Sequence, residues 1–465
     1  MPLNPTIFRE YDIRGNAAAD FGEDNLVLLS QAFIRHFRAR GRQNMLLAHD
    51  SRASSPRIVA TIMQVAAEHG MPVTFIGQVT TPAFYFAAKH LGIDAGLMVT
   101  ASHNPPPDNG MKVLLGPSTI YGAEIQEVRQ IAEAIEVASA TESAVSCVHA
   151  SVRDIIPDYI SVLMEKITLG PRKLKVVVDC GNGTAGPITQ LFLDSLGIDY
   201  VPLFFEPDPS FPNHEPDPTK SKNLVHLQEA VLSHGADLGI GFDGDGDRIG
   251  VVDEQGGIVW GDRLMVLFWR EILPKYPGTT CLVEVKCSQA LVDEIVRLGG
   301  VPEFCRTGHS LIKARMREID AVFTGEMSGH IFFADEYYGF DDALYAAGRL
   351  LRLLSNKKEP LSELLSSLNQ YVSTAEVRIP CADDIKFNVV EKLTERLSSL
   401  YEAITIDGVR VVFPHGWGLF RCSNTQPVIV TRCEADTELR LQEYMAILDK
   451  ALAEVCPGIT IPWEW

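Results

Sequence analysis

Three aspartates alternate with glycines in the segment FDGDGDR, so Asp243, Asp245 and Asp247 would share one side if that segment continued as a strand. Carboxylates this close repel one another unless a divalent cation sits among them, and Mg²⁺ is the common hard cation for all-oxygen sites. With Glu254 the same segment also places acids where a calcium EF-hand loop has its first, third, fifth and twelfth positions. The sixth position of that loop must be glycine and here is Arg248, while the flanks LGIGF and IGVVD read as strands. A metal loop is therefore expected rather than an EF-hand or a solvated acidic turn.

Three further segments carry chemistry. Ser102 lies in VTASHNP, past an apolar strand, with His103 and Asn104 adjacent and prolines stiffening the exit. A serine beside Mg²⁺ can carry a phosphoryl group, whose charge the metal and a cation such as Arg248 would offset. GEMSGH sets Glu326 and Ser328 on alternate positions between glycines, suited to the vicinal hydroxyls of a sugar. RCSNTQP places Arg421, Ser423, Asn424 and Thr425 in one loop with backbone donors, the makings of a phosphate cradle or of an ordinary turn before proline. No GxSxG elbow surrounds Ser102, no GxxxxGK[ST] loop is present, and no GxGxxG follows a strand with a partner acid, which argues against an α/β-hydrolase, a P-loop kinase and a nicotinamide enzyme.

The remaining composition narrows the classes. With 41 Lys plus Arg against 60 Asp plus Glu, the net charge of −19 argues against binding nucleic acid or anionic membranes. The 9 cysteines are scattered without a CxxC pair, so neither a disulfide framework nor a structural zinc site is indicated, and a reducing cytoplasm is expected. The N-terminal MPLNPTIFREYDIRG lacks a signal peptide's basic start and apolar run, and no stretch approaches the roughly 18 apolar residues of a membrane span.

The elements that must position these segments repeat three times. NMLLAHDSR, LKVVVDCGNG and CLVEVKCS each read as a strand followed by a helix, a second strand, and later a strand running into TASHN, DGDGDR or GEMSGH. Apolar runs alternating with helical patterns indicate mostly parallel sheets with crossover helices, whose ligand chemistry collects past the carboxyl ends of the strands. From about 371 the pattern changes to strand, helix, a hairpin turning at Asp407-Gly408, strand and terminal helix, a small α+β domain with an antiparallel sheet. The expected fold is thus three related α/β domains with mixed, mostly parallel sheets plus a C-terminal α+β domain. Their spans are 1–147, 148–253, 254–368 and 369–465, with a hinge near 369.

TASHNP, FDGDGDR, GEMSGH and RCSNTQP, in this order, resemble the four active-site loops of the α-D-phosphohexomutases, and the resemblance runs from FREYDIRG to the last domain. GEMSGH is similar to the form in the bacterial phosphomannomutase/phosphoglucomutase branch. The resemblance implies four domains around a central cleft: a phosphoserine-bearing, a metal-binding, a sugar-binding and a phosphate-binding domain. Phosphorylated Ser102 would give its phosphoryl group to a hexose 1- or 6-phosphate, a hexose 1,6-bisphosphate would turn around, and the opposite phosphate would return to Ser102.

By the same resemblance Mg²⁺ is held by Asp243, Asp245, Asp247 and an oxygen on Ser102, with Arg248 beside the phosphate. Lys112 in NGMKV is the general acid/base, with a pKa expected to be lowered among buried cations. His103 flanks the nucleophile, while His309, His330 and Lys286 line the cleft, and Tyr11 and Arg14 contact substrate. Glu326 and Ser328 would grip the sugar at O3 and O4, and Arg421, Ser423, Asn424 and Thr425 would hold the remote phosphate. Gln426 departs from the Glu or Thr that many relatives carry before the loop proline, which leaves the cradle but alters its fine specificity. Partners are small hexose phosphates, with no nucleic acid and no membrane, and the chain is expected to be a cytoplasmic monomer. The alternatives are a metal-dependent sugar phosphatase using the same serine, a phosphoglucosamine mutase, and a non-catalytic sugar-phosphate- or calcium-binding protein.

Overall fold

The computed structural model describes residues 3–138 and 150–463; the expected boundary at 147/148 and Cys147 lie outside the described residues. The other cysteines are all free thiols. By internal contacts the chain forms two units, one of residues up to Gly261 with Ser328–Leu364, the other of Asp262–Met327 with Leu365 onward. The segment 254–368 thus contributes to both.

In the first unit the strand Met45–His49 pairs in parallel with Val73–Gln78 and Ala95–Val99, with Ser55–Glu68 and Thr81–Leu91 as crossover helices. Ala95–Val99 is buried at every residue, as a central strand with both faces covered must be. The chain then reverses into Asp108–Leu115, which pairs antiparallel with Ala95–Val99 and brings Lys112 opposite Met98. Ile13–Asn16 adds to the other side of Asp108–Leu115, with Arg14 opposite Gly110. Ser102 therefore sits in the reversal past the carboxyl end of a strand, as expected. The helix Glu23–Ala39 anchors this sheet by burying Leu26, Leu29, Phe33 and Phe37 at helical spacing. Each such side chain contributes roughly 1.5–3 kcal/mol.

A second sheet in this unit pairs Lys175–Asp179 in parallel with Asp199–Leu203 and Leu238–Phe242. Leu238–Phe242 then pairs antiparallel with Ile249–Asp253. FDGDGDR is the tight connection between those two strands rather than an extension of either. Its carboxylates do not alternate along a strand but are gathered by a turn folded on Asp243.

In the second unit Thr280–Glu284 pairs in parallel with Val301–Cys305 across the helix Gln289–Arg297, and Thr324 Oγ1 donates to Leu282 O at 2.9 Å beside them. The C-terminal sheet is antiparallel, in the order Val372–Ser373, Val428–Ala435, Gly416–Cys422, Val409–Phe413, Ala403–Ile404, with Val377–Pro380 also on Val428–Ala435. The strand Gly416–Cys422 is not among those expected, because its glycines obscure the alternation. A Cβ at Gly418 would lie 2.8 Å from the Leu448 side chain, so the missing side chain is what lets the helix Glu438–Val455 close on the sheet.

Two buried arginines tie this sheet to the turn that follows the strand Thr280–Glu284. Arg410 stacks 3.8 Å from the Trp417 ring centroid and donates to Val285 O and Cys287 O, and Arg432 packs near the same ring and donates to Lys286 O. Near 369, Asn369 Nδ2 and Tyr371 Oη both donate to Asp293 Oδ2, at 2.7 and 2.8 Å.

Candidate active site

The first unit gathers most of the expected catalytic residues at one point. Ser102 Oγ donates to Asp243 Oδ2 at 2.8 Å and lies 3.1 Å from His103 Nδ1. Ser102 has φ +50°, a left-handed conformation costly for a residue with a Cβ and characteristic of functional turns. Asp243 Oδ1 accepts from the backbone N–H groups of Gly246, Asp247 and Arg248, which winds the loop around it. Gly244 is needed in that winding, because a Cβ there would stand 2.4 Å from the Ser102 carbonyl oxygen.

The carboxylates of Asp243, Asp245 and Asp247 are fully buried and offer ligand atoms within 4.8 Å of one another. Burial first, then Asp247 and Asp245, push the Asp243 carboxyl well above its ordinary range. Oδ1 of Asp245 and Oδ1 of Asp247 are buried without a hydrogen-bond partner. An all-oxygen set with orphaned lone pairs fits a hard divalent cation such as Mg²⁺.

Lys112 departs from expectation. Its ammonium donates to Asp245 Oδ2 at 2.9 Å and to Asp247 Oδ2, so it lies among anions rather than cations. Burial, the largest single influence, pulls its pKa down, but Asp245 and Asp247 outweigh it and raise the pKa well above the ordinary value. The lysine is therefore held as an ammonium. His103 behaves in the opposite way: burial, then Arg248 and Arg14, lower it well below its ordinary value, leaving a neutral ring beside Ser102.

Arg248 Nε donates to His330 Nε2 at 2.9 Å, which leaves the ring proton on Nδ1, 3.1 Å from Asp341 Oδ2. Arg14 donates to Asn104 Oδ1 at 2.8 Å and to Asp12 Oδ2, so it braces the serine loop. Tyr11 is buried just before the strand Ile13–Asn16.

The second unit gathers a separate set. Glu326 is buried and its Oε1 accepts from Gly308 N at 2.7 Å, immediately before His309, which opens the helix His309–Glu318. Lys286 Nζ donates to Glu376 Oε2 at 2.9 Å. Burial pushes Glu376 up, but Lys286 and then Arg378 hold it at about 2. Arg421 Nε donates to Asp407 Oδ2 at 2.9 Å, and the same carboxylate oxygen accepts from Thr307 N. Asp407, expected only as a turn residue, thus links the Arg421 strand to the loop before His309. Ser423 Oγ accepts from the N–H groups of Thr425 and Gln426, and Lys386 Nζ holds the loop through Ser423 O and Gln426 O. Asn424 is partly buried and Thr425 exposed. Ser328 is half-buried and belongs to the first unit, whereas Glu326 belongs to the second.

Arg52, Asp341, Glu376 and Lys386 are neighbours of these residues that the sequence alone does not single out, and Asp407 is singled out only as a turn. Each stands alone among ordinary residues, and only the fold brings it to its partner.

Comparison with known proteins spans this whole arrangement. Profiles described as "Phosphoglucomutase/phosphomannomutase, alpha/beta/alpha domain" I, II and III match residues 5–139, 157–257 and 260–371, and the corresponding C-terminal domain profile matches 376–451. A phosphomannomutase/phosphoglucomutase of Pseudomonas aeruginosa is 40% identical over 463 residues, covering 99% of this chain and 98% of that protein. A phosphoglucomutase of Neisseria meningitidis is 38% identical over 459 residues, covering 98% of each. The solved structure of a phosphoglucomutase/phosphomannomutase family protein from Burkholderia thailandensis superposes with a TM-score of 0.90 at 38% identity, covering 99% of this chain and 100% of that one.

Proposed function

This chain belongs to the phosphoglucomutase/phosphomannomutase family, and we propose that it interconverts hexose 1-phosphates and hexose 6-phosphates through a phosphorylated Ser102. The observation that carries the reading is the Ser102 hydroxyl, 2.8 Å from a carboxylate of the buried triad. In the forward step the Oγ–P bond of phosphoserine breaks, a P–O bond forms to the free hydroxyl of the sugar, and that hydroxyl loses its proton. The resulting hexose 1,6-bisphosphate turns end for end, and Ser102 Oγ takes back the phosphoryl group from the other end.

Phosphoryl transfer of this kind relies on position and charge neutralisation more than on covalent help. Asp243, Asp245, Asp247 and a Ser102 oxygen would hold Mg²⁺, which supplies charge neutralisation at the transferring phosphate when bound. Arg248 and Arg14 add positive charge on the same side. In transfer to the sugar the Lys112 ammonium protonates the departing Ser102 oxygen while neutral His103 takes the proton of the attacking hydroxyl; in the return Lys112 takes the Ser102 proton back and His103 gives its proton to the sugar oxygen left behind. Replacing Lys112 with Met is therefore expected to lower kcat about 100-fold with KM within about threefold. Steady-state kinetics on a variant with native circular dichroism measures this, and unchanged turnover would remove Lys112 from the reaction.

Glu326 and Ser328 are assigned the sugar O3 and O4, and Lys286 and His309 further contacts to the substrate. Arg421, Ser423, Asn424 and Thr425 take the phosphate not being transferred, and Tyr11 and Arg14 complete the contacts. Mannose and glucose differ at O2, which none of these contacts addresses, so both are substrates. A coupled assay should show mannose 1-phosphate and glucose 1-phosphate turned over at similar rates, and a preference of about tenfold or more between them would show that O2 is read. Free phosphate without a 6-phosphate product would instead identify a phosphatase. No helix among the described residues is long and apolar enough to cross a membrane. We take the chain to act as a cytoplasmic monomer on small phosphosugars, without nucleic acid or membrane partners.

A further inference from the structure

The Ser102 loop closes on a single buried side chain. Arg52, 2% exposed, follows the strand Met45–His49 and sends its guanidinium into the reversal between Val99 and Asp108. Its Nη2 donates to Ser102 O at 2.7 Å and Asn104 O at 2.6 Å, and its Nη1 to Pro105 O at 2.8 Å and Asp108 O at 3.0 Å. Asp50 Oδ2 lies 3.2 Å from Nε and neutralises the charge, and the Phe211 ring lies 5.5 Å from the guanidinium carbon. A rigid guanidinium fork carries five N–H donors in fixed directions and here meets four carbonyls, more than the three protons of a lysine ammonium could.

Those carbonyls belong to the loop that holds Ser102 in its left-handed conformation. A non-glycine residue there is strained and persists only when its surroundings over-determine it. Ser102 is fixed at its N–H by Thr100 Oγ1, at 2.9 Å, and at its carbonyl by Arg52, against which Gly244 packs with no room for a Cβ. The arginine's own turn is registered to the metal loop as well. Ser51 N donates to Thr184 Oγ1, and Thr184 N donates to Gly244 O, both at 2.9 Å.

We infer that Arg52 is a positioning residue for phosphoryl transfer: by binding the carbonyls of Ser102, Asn104, Pro105 and Asp108 it aims the Ser102 oxygen at the aspartate triad. This rests on the reading of Ser102 as phosphoryl carrier. Arg52 touches neither sugar nor phosphate, so its loss lowers the transfer rate without weakening the hold on the sugar phosphate.

Arg52→Lys and Arg52→Ala in the full chain test this. Both are expected to lower kcat about 100-fold, as an ångström-scale misplacement does, with KM for glucose 1-phosphate within about threefold. Phosphorylation of Ser102 by glucose 1,6-bisphosphate, followed by intact mass, should slow in the same proportion. Guanidinium ion at millimolar concentration should recover at least about tenfold in Arg52→Ala by refilling the fork's place. Folded variants that keep kcat within about threefold would overturn the inference. So would a deficit that vanishes once the assay is run well below a lowered melting temperature. Native enzyme measured alongside separates the failures. Were it to take up no phosphate on Ser102, the serine's role would fall; were it to do so while both variants match it, only Arg52's role would fall.

Discussion

Ser102→Ala is expected to lower hexose phosphate interconversion by at least about 10⁴-fold, since the substitution removes the atom to which the phosphoryl group is attached. The effect should be confined to chemistry. Thr100 Oγ1 and Arg52 hold the backbone N–H and carbonyl of residue 102, not its hydroxyl, and alanine keeps both. The left-handed conformation strains alanine about as much as serine, so the melting temperature should change by no more than a few degrees. Asp243 Oδ2 loses one donor but keeps Arg248 Nε at 4.0 Å. The native protein should show a retained phosphate by intact mass and the variant none. An alanine variant with more than about a hundredth of native turnover would place the nucleophile elsewhere.

The serine and the aspartates are legible in sequence because each sits in a segment whose composition is odd for its place. Buried strands ending in TASHN or FDGDGDR have no packing reason for such polarity, and a parallel α/β sheet puts chemistry past its strand ends. What those residues touch is less legible. Lys112 reads as one cation among several; only the register that sets it opposite Met98, on a strand facing the metal loop, shows that its neighbours are Asp245 and Asp247. That contact reverses the direction of its pKa shift. Asp407 reads correctly as a hairpin turn, yet a turn signal is silent about side chains arriving from elsewhere, and Arg421 and Thr307 both use its carboxylate. The strand Gly416–Cys422 is hidden because its glycines answer to Leu448 and the Glu434 carbonyl rather than to strand propensity. Local pattern reports which surface a residue presents, and long-range contact decides what that surface meets.

Removing divalent cations with EDTA is expected to lower turnover about 10³-fold, with Mg²⁺ restoring it, and to lower the melting temperature of the intact chain. The binding heat should carry a pH signature. Burial and then its two neighbours raise the Asp243 pKa, so at a given pH this carboxyl binds protons more readily than a free aspartate. A cation that needs the carboxylate must displace that proton, so Mg²⁺ binding releases protons and its affinity falls as pH is lowered through the raised pKa. The Lys112 ammonium sits on Oδ2 of Asp245 and Asp247, beside the orphaned Oδ1 atoms left to the cation, and its charge opposes the cation's. Calorimetric titration of Lys112→Met should therefore show Mg²⁺ bound more tightly than by the native chain, even as turnover falls. Asp245→Asn should show the reverse, because it gives up a charged ligand yet leaves Lys112 on Asp247. Equal affinities in native and Lys112→Met proteins would mean that the lysine's charge does not oppose the cation, and full turnover after chelation would remove the cation from the reaction altogether.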